Sequence, residues 1–595
     1  MKLEHLGLIG NCRYGALIHR DGSVVWCCLP RFDSEPVFST LIDEMRGGFF
    51  SIRPPDGQWG VQRYVENTNV LETRFDCDSG SFRVLDFAPR YIVGDRIVRP
   101  PMLIRVVEPV KGRPQARISC QPRLGWSATV PQWTAAPGEI SFSGFSEPLR
   151  LGMFPATPSP DEGLAAISRK RYYVLALGDA LPQDLPAYCE HMLTATIEYW
   201  RRWVTHASVP LLFQNAVIRS ALALKLHCYE DTGAIVASMT TSIPEAPGSG
   251  RTWDYRYCWL RDAYFVISAF RLLGHFEERQ QFIQFLLRVL GEEEGLFAPH
   301  IPVKLAPVYR IDGSLNLDER ILPEWNGFDG EKPVRTGNAA ALQTQNDVYG
   351  EMVLALAPVF LDERYVHERT PELLEVLIHL TRKAIVLAGT PDAGIWEFRD
   401  ISRPQTFSSL MAWAAADRMA RVASRQGLNG RNEFSIAAER LRQDLLANAW
   451  NASLGSLVST YGGDSLDASL LQAVTLRFLP PSDPRMRQMV DAISKELNRG
   501  GWLLRYSAND GFGVPTTSFM ICTFWLIEAL CVLGETDRAR IMMNTICGNL
   551  PPLGLLAEDR DSATGIMWGN FPQTYSHVGM IRAAFAASPH WTEWL

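Results

Sequence analysis

From about residue 186 the hydrophobic period of this chain changes, and that switch constrains the fold more than any other feature. Before it, short apolar runs alternate with turn signals. "ALIHRDGSVVWCCLP" sets Asp21-Gly22 between two strand-like runs, and Asp-Gly supplies the positive φ angles of a tight hairpin. "GGFFSIRP", "NVLETRFDC", "GSFRVLDFAPRY", "MLIRVVEPV" and "ARISCQPRL" continue the pattern to a last predicted strand in "RKRYYVLALG". This predicts an antiparallel β-sandwich over residues 1–182. After the switch, "AYCEHMLTATIEYWRRWV" has helical spacing and is expected to form a helical linker over 183–210. Twelve further helices are expected within an all-α domain over 211–595, at 213–229, 260–274, 276–290, 346–360, 371–388, 408–423, 434–449, 466–477, 485–497, 517–533, 536–547 and 574–587. No fixed-period repeat joins them. A closed ring of helix pairs and a two-helix solenoid both fit, and the apolar pattern does not choose between them.

Charge and cysteine usage narrow the function classes. Lys+Arg number 58 against 65 Asp+Glu, a net charge of −7, and no polybasic run is present. A sequence-independent nucleic-acid binder, which needs a dense basic surface, is disfavoured. No run of about 18 apolar residues predicts a membrane-spanning helix. The opening "MKLEHLGLIGNCRYG" lacks the apolar core and cleavage site of a secretory signal, so a cytoplasmic protein is expected. The 11 cysteines form no Cys-x-x-Cys and no zinc-type spacing, which predicts buried free thiols. Neither a metal nor a cofactor is expected, and a homo-oligomer is left open.

Four long loops are aromatic and charged at once, the composition of a site carried on a rigid scaffold. In "TTSIPEAPGSGRTWDYRYCWLRDAYF" (240–265), Trp253, Tyr255, Tyr257 and Trp259 stand beside Asp254, Arg256, Arg261 and Asp262. Flat aromatic faces suit the C–H faces of sugar rings, and Arg and Asp side chains can fork onto neighbouring hydroxyls. The plainer reading of Arg261-Asp262 is an ion pair at a helix start. The loop at 321–351 carries Trp325, Phe328, Arg335, Asn338, Gln343 and Gln345. In the loop at 390–413, Glu397 follows Trp396 and precedes Arg399. A carboxyl held against an indole is desolvated and its pKa rises, which suits a general acid. In the loop at 555–579, Glu558 leads Asp559 and Asp561, with Trp568, Asn570, Gln573 and His577 following. A solvated carboxylate there could deprotonate water; a calcium loop is the weaker reading, because the glycine and distal Glu of an EF-hand are missing. Glu397 and Glu558 lie 161 residues apart, so only a closed fold could unite them.

At these residues the chain resembles the family 15 glycoside hydrolases, the glucoamylase and trehalase-like group of bacterial type. "LIGNCRYGALIHRDGSVVWCCLPRFDSEPVFSTLID" is similar to the family's N-terminal domain, and "TWDYRYCWLRDA", "PVRTGNAAALQTQNDVYGE", "GIWEFRD" and "GNFPQTYSHVG" resemble its catalytic-domain motifs in order. The resemblance implies a β-sandwich joined to an (α/α)6 barrel with the site at the barrel mouth. It implies an inverting, exo-acting α-glucoside hydrolase that releases β-glucose from non-reducing ends. Glu397 would be the general acid and Glu558 the general base. Arg261 and Asp262 would clamp the terminal glucose, with Trp259 and Trp396 lining its pocket. Trp253, Asp254, Tyr257, Arg399 and Gln573 complete the expected substrate-binding set. The chain departs from the family where many relatives read Ser-Lys-x-Met and this one has Ser408, Ser409, Leu410 and Met411. It departs again at "TTSF" (516–519) and at Trp568. These changes leave the aglycone side open. Trehalose is the favoured substrate, with short malto- or isomalto-oligosaccharides as the alternative. A disaccharide phosphorylase and a non-catalytic sugar-binding protein are the competing classes.

Overall fold

The structure is a computed structural model and describes residues 1–595 except 293–303, 400, 429–431, 594 and 595. The predicted hairpin forms: Gly15–His19 pairs antiparallel with Ser23–Cys28, and Gly22 takes φ +91° in the turn. Two antiparallel sheets of seven and eight strands follow from this pattern, with Arg171–Leu177 inside the larger one. Their facing side chains form the core, including Phe75 stacked on Phe82 and the Phe50–Tyr173 edge contact.

One polar group crosses that core. Arg105, on the strand Met102–Gly112, is fully buried and forks onto Asp86 at 2.7 and 3.2 Å. Its Nη1 donates to the carbonyl of Phe50 on the opposite sheet at 2.7 Å, and Nη2, shared with Asp86, also donates to the carbonyl of Gly22 in the hairpin turn at 2.8 Å. Removing one partner of a buried pair leaves an unpaired charge, at a cost of about 3–5 kcal/mol. Arg105→Met is therefore expected to lower the urea midpoint of the β-domain markedly; an unchanged midpoint would show that the pair is dispensable.

The linker helix runs Leu185–Thr205, with the Asp184 side chain accepting from Ala187 N at its start. It is more than a linker. Cys189 and Met192 pack with Val70, Phe87, Ile104 and Val174, so the helix covers the outer face of the larger sheet.

Six inner helical segments then form a ring. Leu260–Leu273 contacts Asp347–Leu361, which contacts Thr406–Gln426. The circuit continues through Ala468–Thr475, Met520–Val532 and Thr574–Ala587, and the last returns to Leu260–Leu273. The ring closes, and the solenoid is excluded. Gln214–His227, Glu277–Glu292, Pro371–Leu387, Asn432–Asn448, Pro484–Leu497 and Thr536–Gly548 lie outside it. Burial explains the sorting. Every residue from Met520 to Leu530 is buried, as a helix apolar all round requires. Pro484–Leu497 buries only Met486, Met489, Val490, Ile493, Ser494 and Leu497, one face at helical spacing. Gly350 lets its helix approach the Met411 backbone so closely that a Cβ would collide with the Met411 carbonyl.

The expected helix at 466–477 is shorter than the pattern suggested: a 3-10 turn over Ala468–Leu471 and one α-turn over Gln472–Thr475. Arg477 at φ +64° ends it, and Pro480-Pro481 prevents resumption. The eleven cysteines are all free, eight buried and Cys77, Cys531 and Cys547 partly exposed. Among the described residues no helix is long and apolar enough to cross a membrane.

The β-domain is stitched to the loops at one mouth of the ring. Trp26 Nε1 donates to the Met239 carbonyl at 2.7 Å, and Trp325 Nε1 to the Trp126 carbonyl at 3.1 Å. Arg256 donates to the Ser34 carbonyl at 2.8 Å while its guanidinium faces the Trp26 and Trp126 rings. Trp325, expected as a sugar-stacking candidate, is 1% exposed in this seam.

Candidate active site

The site sits where the inner helices begin. Arg261 and Asp262 occupy the first turn of Leu260–Leu273. Gln573 caps Thr574–Ala587, its side chain accepting from Ser576 N at 3.2 Å, and Tyr575 follows in the first turn. Trp253, Trp259, Arg261, Asp262, Trp396, Glu397, Arg399, Glu558 and Gln573 all line one cavity, which holds about 880 Å³ of empty space counted out to its mouth.

Glu397 and Glu558 thus share a cavity despite their distance in the chain. Glu397 has φ +58°, a left-handed backbone that few side-chain-bearing residues adopt and that recurs at functional sites. Its Oε1 accepts three hydrogen bonds, from Trp259 Nε1 at 2.7 Å, an Arg261 terminal nitrogen at 2.9 Å and Gln345 Nε2 at 3.1 Å. Arg261 is itself held by the Tyr575 hydroxyl, Gln345 and Asp347. Glu558 Oε1 accepts from the Tyr255 hydroxyl at 3.0 Å, and the Tyr255 ring meets Trp259 edge-on at 5.4 Å. A chain of contacts therefore runs Glu558–Tyr255–Trp259–Glu397.

The solvation of the two carboxyls reverses the expectation. Glu558 is 2% exposed rather than solvated, and its Oε2 is buried without a hydrogen-bond partner. Burial, with Glu245 and Asp559 close by, holds its pKa well above the usual carboxylate range, against the pull of Arg505 and the Tyr255 hydroxyl. Burial likewise lifts Asp559 to about 7. The Glu397 side chain is 22% exposed. Its partner indole is Trp259, not the adjacent Trp396, whose N–H donates to Asp467 Oδ2 at 2.8 Å. Burial raises Asp262 to about 7, with Arg261 opposing the shift.

Asp254 and Tyr257, expected in the substrate-binding set, do not line this cavity. Side chains alternate along the extended segment, so Trp253 and Tyr255 point inward while Asp254 and Arg256 point away. Asp254 is fully buried and forks onto Arg256 at 2.8 and 2.7 Å. The Tyr257 hydroxyl accepts from Gly337 N at 3.2 Å. Trp568 packs edge-on against Phe328 and does not line the cavity.

The lining residues that the sequence does not single out include Glu245, Arg251, Arg505, Asp510 and Tyr575. Glu245 is a hub that pairs with Arg505 and, at 3.7 Å, with Arg251, and accepts from Trp253 Nε1 at 3.0 Å. The Trp253 ring is flanked by the Arg335 and Arg399 guanidiniums at 4.5 and 4.1 Å, and Arg399 pairs with Glu319 at 2.6 Å. Among the described residues no group of three or more His, Cys, Asp or Glu is placed to hold a metal ion.

Glycine 569 makes room for Glu558. It takes φ +77°, and a Cβ there would stand 2.6 Å from Glu558 Cβ and 2.7 Å from its Oε2. Gly569→Ala is expected to displace the carboxyl and lower kcat/KM by about 10²-fold with the far-UV circular dichroism unchanged. Wild-type kinetics in this variant would show that Glu558 needs no such clearance.

Comparison with known proteins places the chain. The sequence model of glycosyl hydrolases family 15 matches residues 212–542, and that of the trehalase-like N-terminal domain matches residues 1–155. The chain belongs to glycosyl hydrolases family 15. This family 15 protein is 32% identical over 597 residues to a trehalase of Thermoplasma volcanium, covering 98% of this chain and 93% of that protein. It is 34% identical over 630 residues to a trehalase of Mycolicibacterium smegmatis, covering 97% and 90%. A bacterial glucoamylase crystallised with acarbose superposes with a TM-score of 0.68 at 13% identity, over 98% of this chain and 94% of that one. At that identity the likeness concerns the fold, a β-domain followed by an (α/α)6 barrel. The family 15 chain is a glycoside hydrolase.

Proposed function

We propose that this glycoside hydrolase cleaves trehalose with inversion at the attacked carbon, Glu397 acting as general acid and Glu558 as general base. One observation carries the reading: two glutamates from distant loops line a single cavity, the Glu397 Oε1 fixed by Trp259 and Arg261 and the Glu558 Oε1 by the Tyr255 hydroxyl. The relatives named as trehalases support trehalose over longer α-glucosides.

In this mechanism the Glu397 proton passes to the glycosidic oxygen as its bond to C1 breaks. Glu558 takes a proton from water, whose oxygen bonds to C1 from the opposite face. The protons then return through solvent, since the cycle ends with Glu397 ionised and Glu558 protonated. Arg261 and Asp262 bind the glucosyl unit. Trp253, Arg399 and Phe512, on the same cavity, are the walls available to the leaving glucose.

The test is a panel of trehalose, maltose, isomaltose, kojibiose and dextran scored for released glucose, with trehalose followed by proton NMR before mutarotation. Inversion on trehalose releases α- and β-glucose in equal amounts. Two α-glucose molecules would overturn inversion, preference for maltose or isomaltose would overturn the substrate, and phosphate-dependent glucose 1-phosphate would move the protein to the phosphorylases.

A further inference from the structure

A second cavity lies at the other end of the helical ring. The inner helices start at the active site with Arg261, Asp347 and Tyr575. Seven to eleven residues further along those helices, about 10–17 Å at 1.5 Å per residue, Ser268, Arg271, Leu354, Pro358 and Arg582 line a cavity of about 830 Å³ counted to its mouth. Four arginines line it, Arg271, Arg279, Arg418 and Arg582, and no carboxylate does.

Two of these cations are neutralised from outside. Arg582 forks onto Glu528, at 2.7 and 3.1 Å, and donates to Ser268 Oγ at 2.9 Å. Arg418 pairs with Asp417 and donates to the Leu476 carbonyl at 3.0 Å. The other two form no ion pair among the described residues. Arg271 is exposed in the last turn of its helix. Arg279 is 2% exposed, with its guanidinium 4.0 Å from the centre of the Tyr365 ring and all three nitrogens buried without a hydrogen-bond partner. Burial and the nearby Arg271 charge push Arg279 below its usual range, although Tyr365 and Glu368 oppose this. A buried charge is ordinarily paired, so this guanidinium is short of an anion.

We propose that the cavity binds a small doubly charged oxyanion, a phosphate group either free or carried as a monoester. Guanidinium forks match the oxygens of such a group, and two uncompensated arginines match its charge. Tyr264, on the same wall, carries a hydroxyl for one of its remaining oxygens, whereas the Ser268 hydroxyl already donates to the Phe265 carbonyl at 2.7 Å.

Isothermal titration calorimetry of the full chain tests this, with sodium phosphate, sodium sulfate and glucose 6-phosphate at an ionic strength held constant with sodium chloride. One saturable site for phosphate or sulfate is expected, weakened about tenfold or more in Arg279→Met and in Arg271→Ala. Glucose 6-phosphate competing for that site identifies a monoester pocket; phosphate binding without such competition identifies a free-anion pocket. No saturable heat with any of the three, or binding unchanged in both variants, overturns the proposal. Arg271 is exposed, so its variant decides the matter even if Arg279→Met fails to fold.

Discussion

Glu558→Gln is expected to lower kcat by about 10³-fold or more while KM for the disaccharide changes little. A general base positioned in the transition state contributes about 10²–10⁴ in rate, and here it must also extract a proton from the only attacking nucleophile. Glutamine keeps the shape and the Tyr255 hydrogen bond but cannot accept that proton. Retained turnover would sink the base assignment. The wild-type pH profile adds an independent check. A base works only when ionised, and burial among Glu245 and Asp559 makes Glu558 harder to ionise. Activity should therefore rise with pH through an acidic limb lying above the ordinary Glu value of about 4.3. That limb belongs to the coupled carboxyls as a group. Glu245→Gln removes one of the negative charges and should move it downward; an acidic limb already at 4.3 in the wild type would contradict the buried setting.

Glu397→Gln is the second large effect, with a different signature. An amide cannot protonate a departing sugar oxygen, so hydrolysis of trehalose should fall by about 10²–10⁴-fold. An α-glucosyl fluoride or nitrophenyl α-glucoside leaves without that proton, and its loss should be far smaller. An equal loss on every leaving group would count against the acid role and would recast Glu397 as an anchor for Arg261 and Trp259, to which it is bonded.

Much of this molecule is legible in its sequence. The change of period near 186 separates strands from helices because a pleated surface and a helical face place apolar residues at different spacings. It stays silent on ring closure, which depends on contacts such as Thr574–Ala587 against Leu260–Leu273. In the site, the aromatic and charged loops reveal most of the lining residues, since sugar binding concentrates unusual side chains in short segments. Arg505 and Glu245 escape notice because their meaning lies in each other, 260 residues apart. The carboxyl environments mislead for a related reason. Trp396 adjoins Glu397 in the chain but gives its N–H to Asp467, whereas polar neighbours of Glu558 in sequence turn out to surround a buried group. Sequence adjacency is a weak guide to solvation, which is set by whatever the fold brings alongside.

The alternation along Trp253–Arg256 links two properties usually measured separately. One side of that strand-like segment carries the sugar wall and the partner of Glu558; the other grips the β-domain through Arg256 and Ser34. The helical ring expressed without its first 182 residues would lose the acceptor for Arg256 and the Trp126 cover over Trp325. Heating should then inactivate the intact enzyme when the seam between domains opens, before the ring itself melts. Variants selected for heat resistance should accumulate at Ser34, Trp126 and Trp325 rather than around the two glutamates.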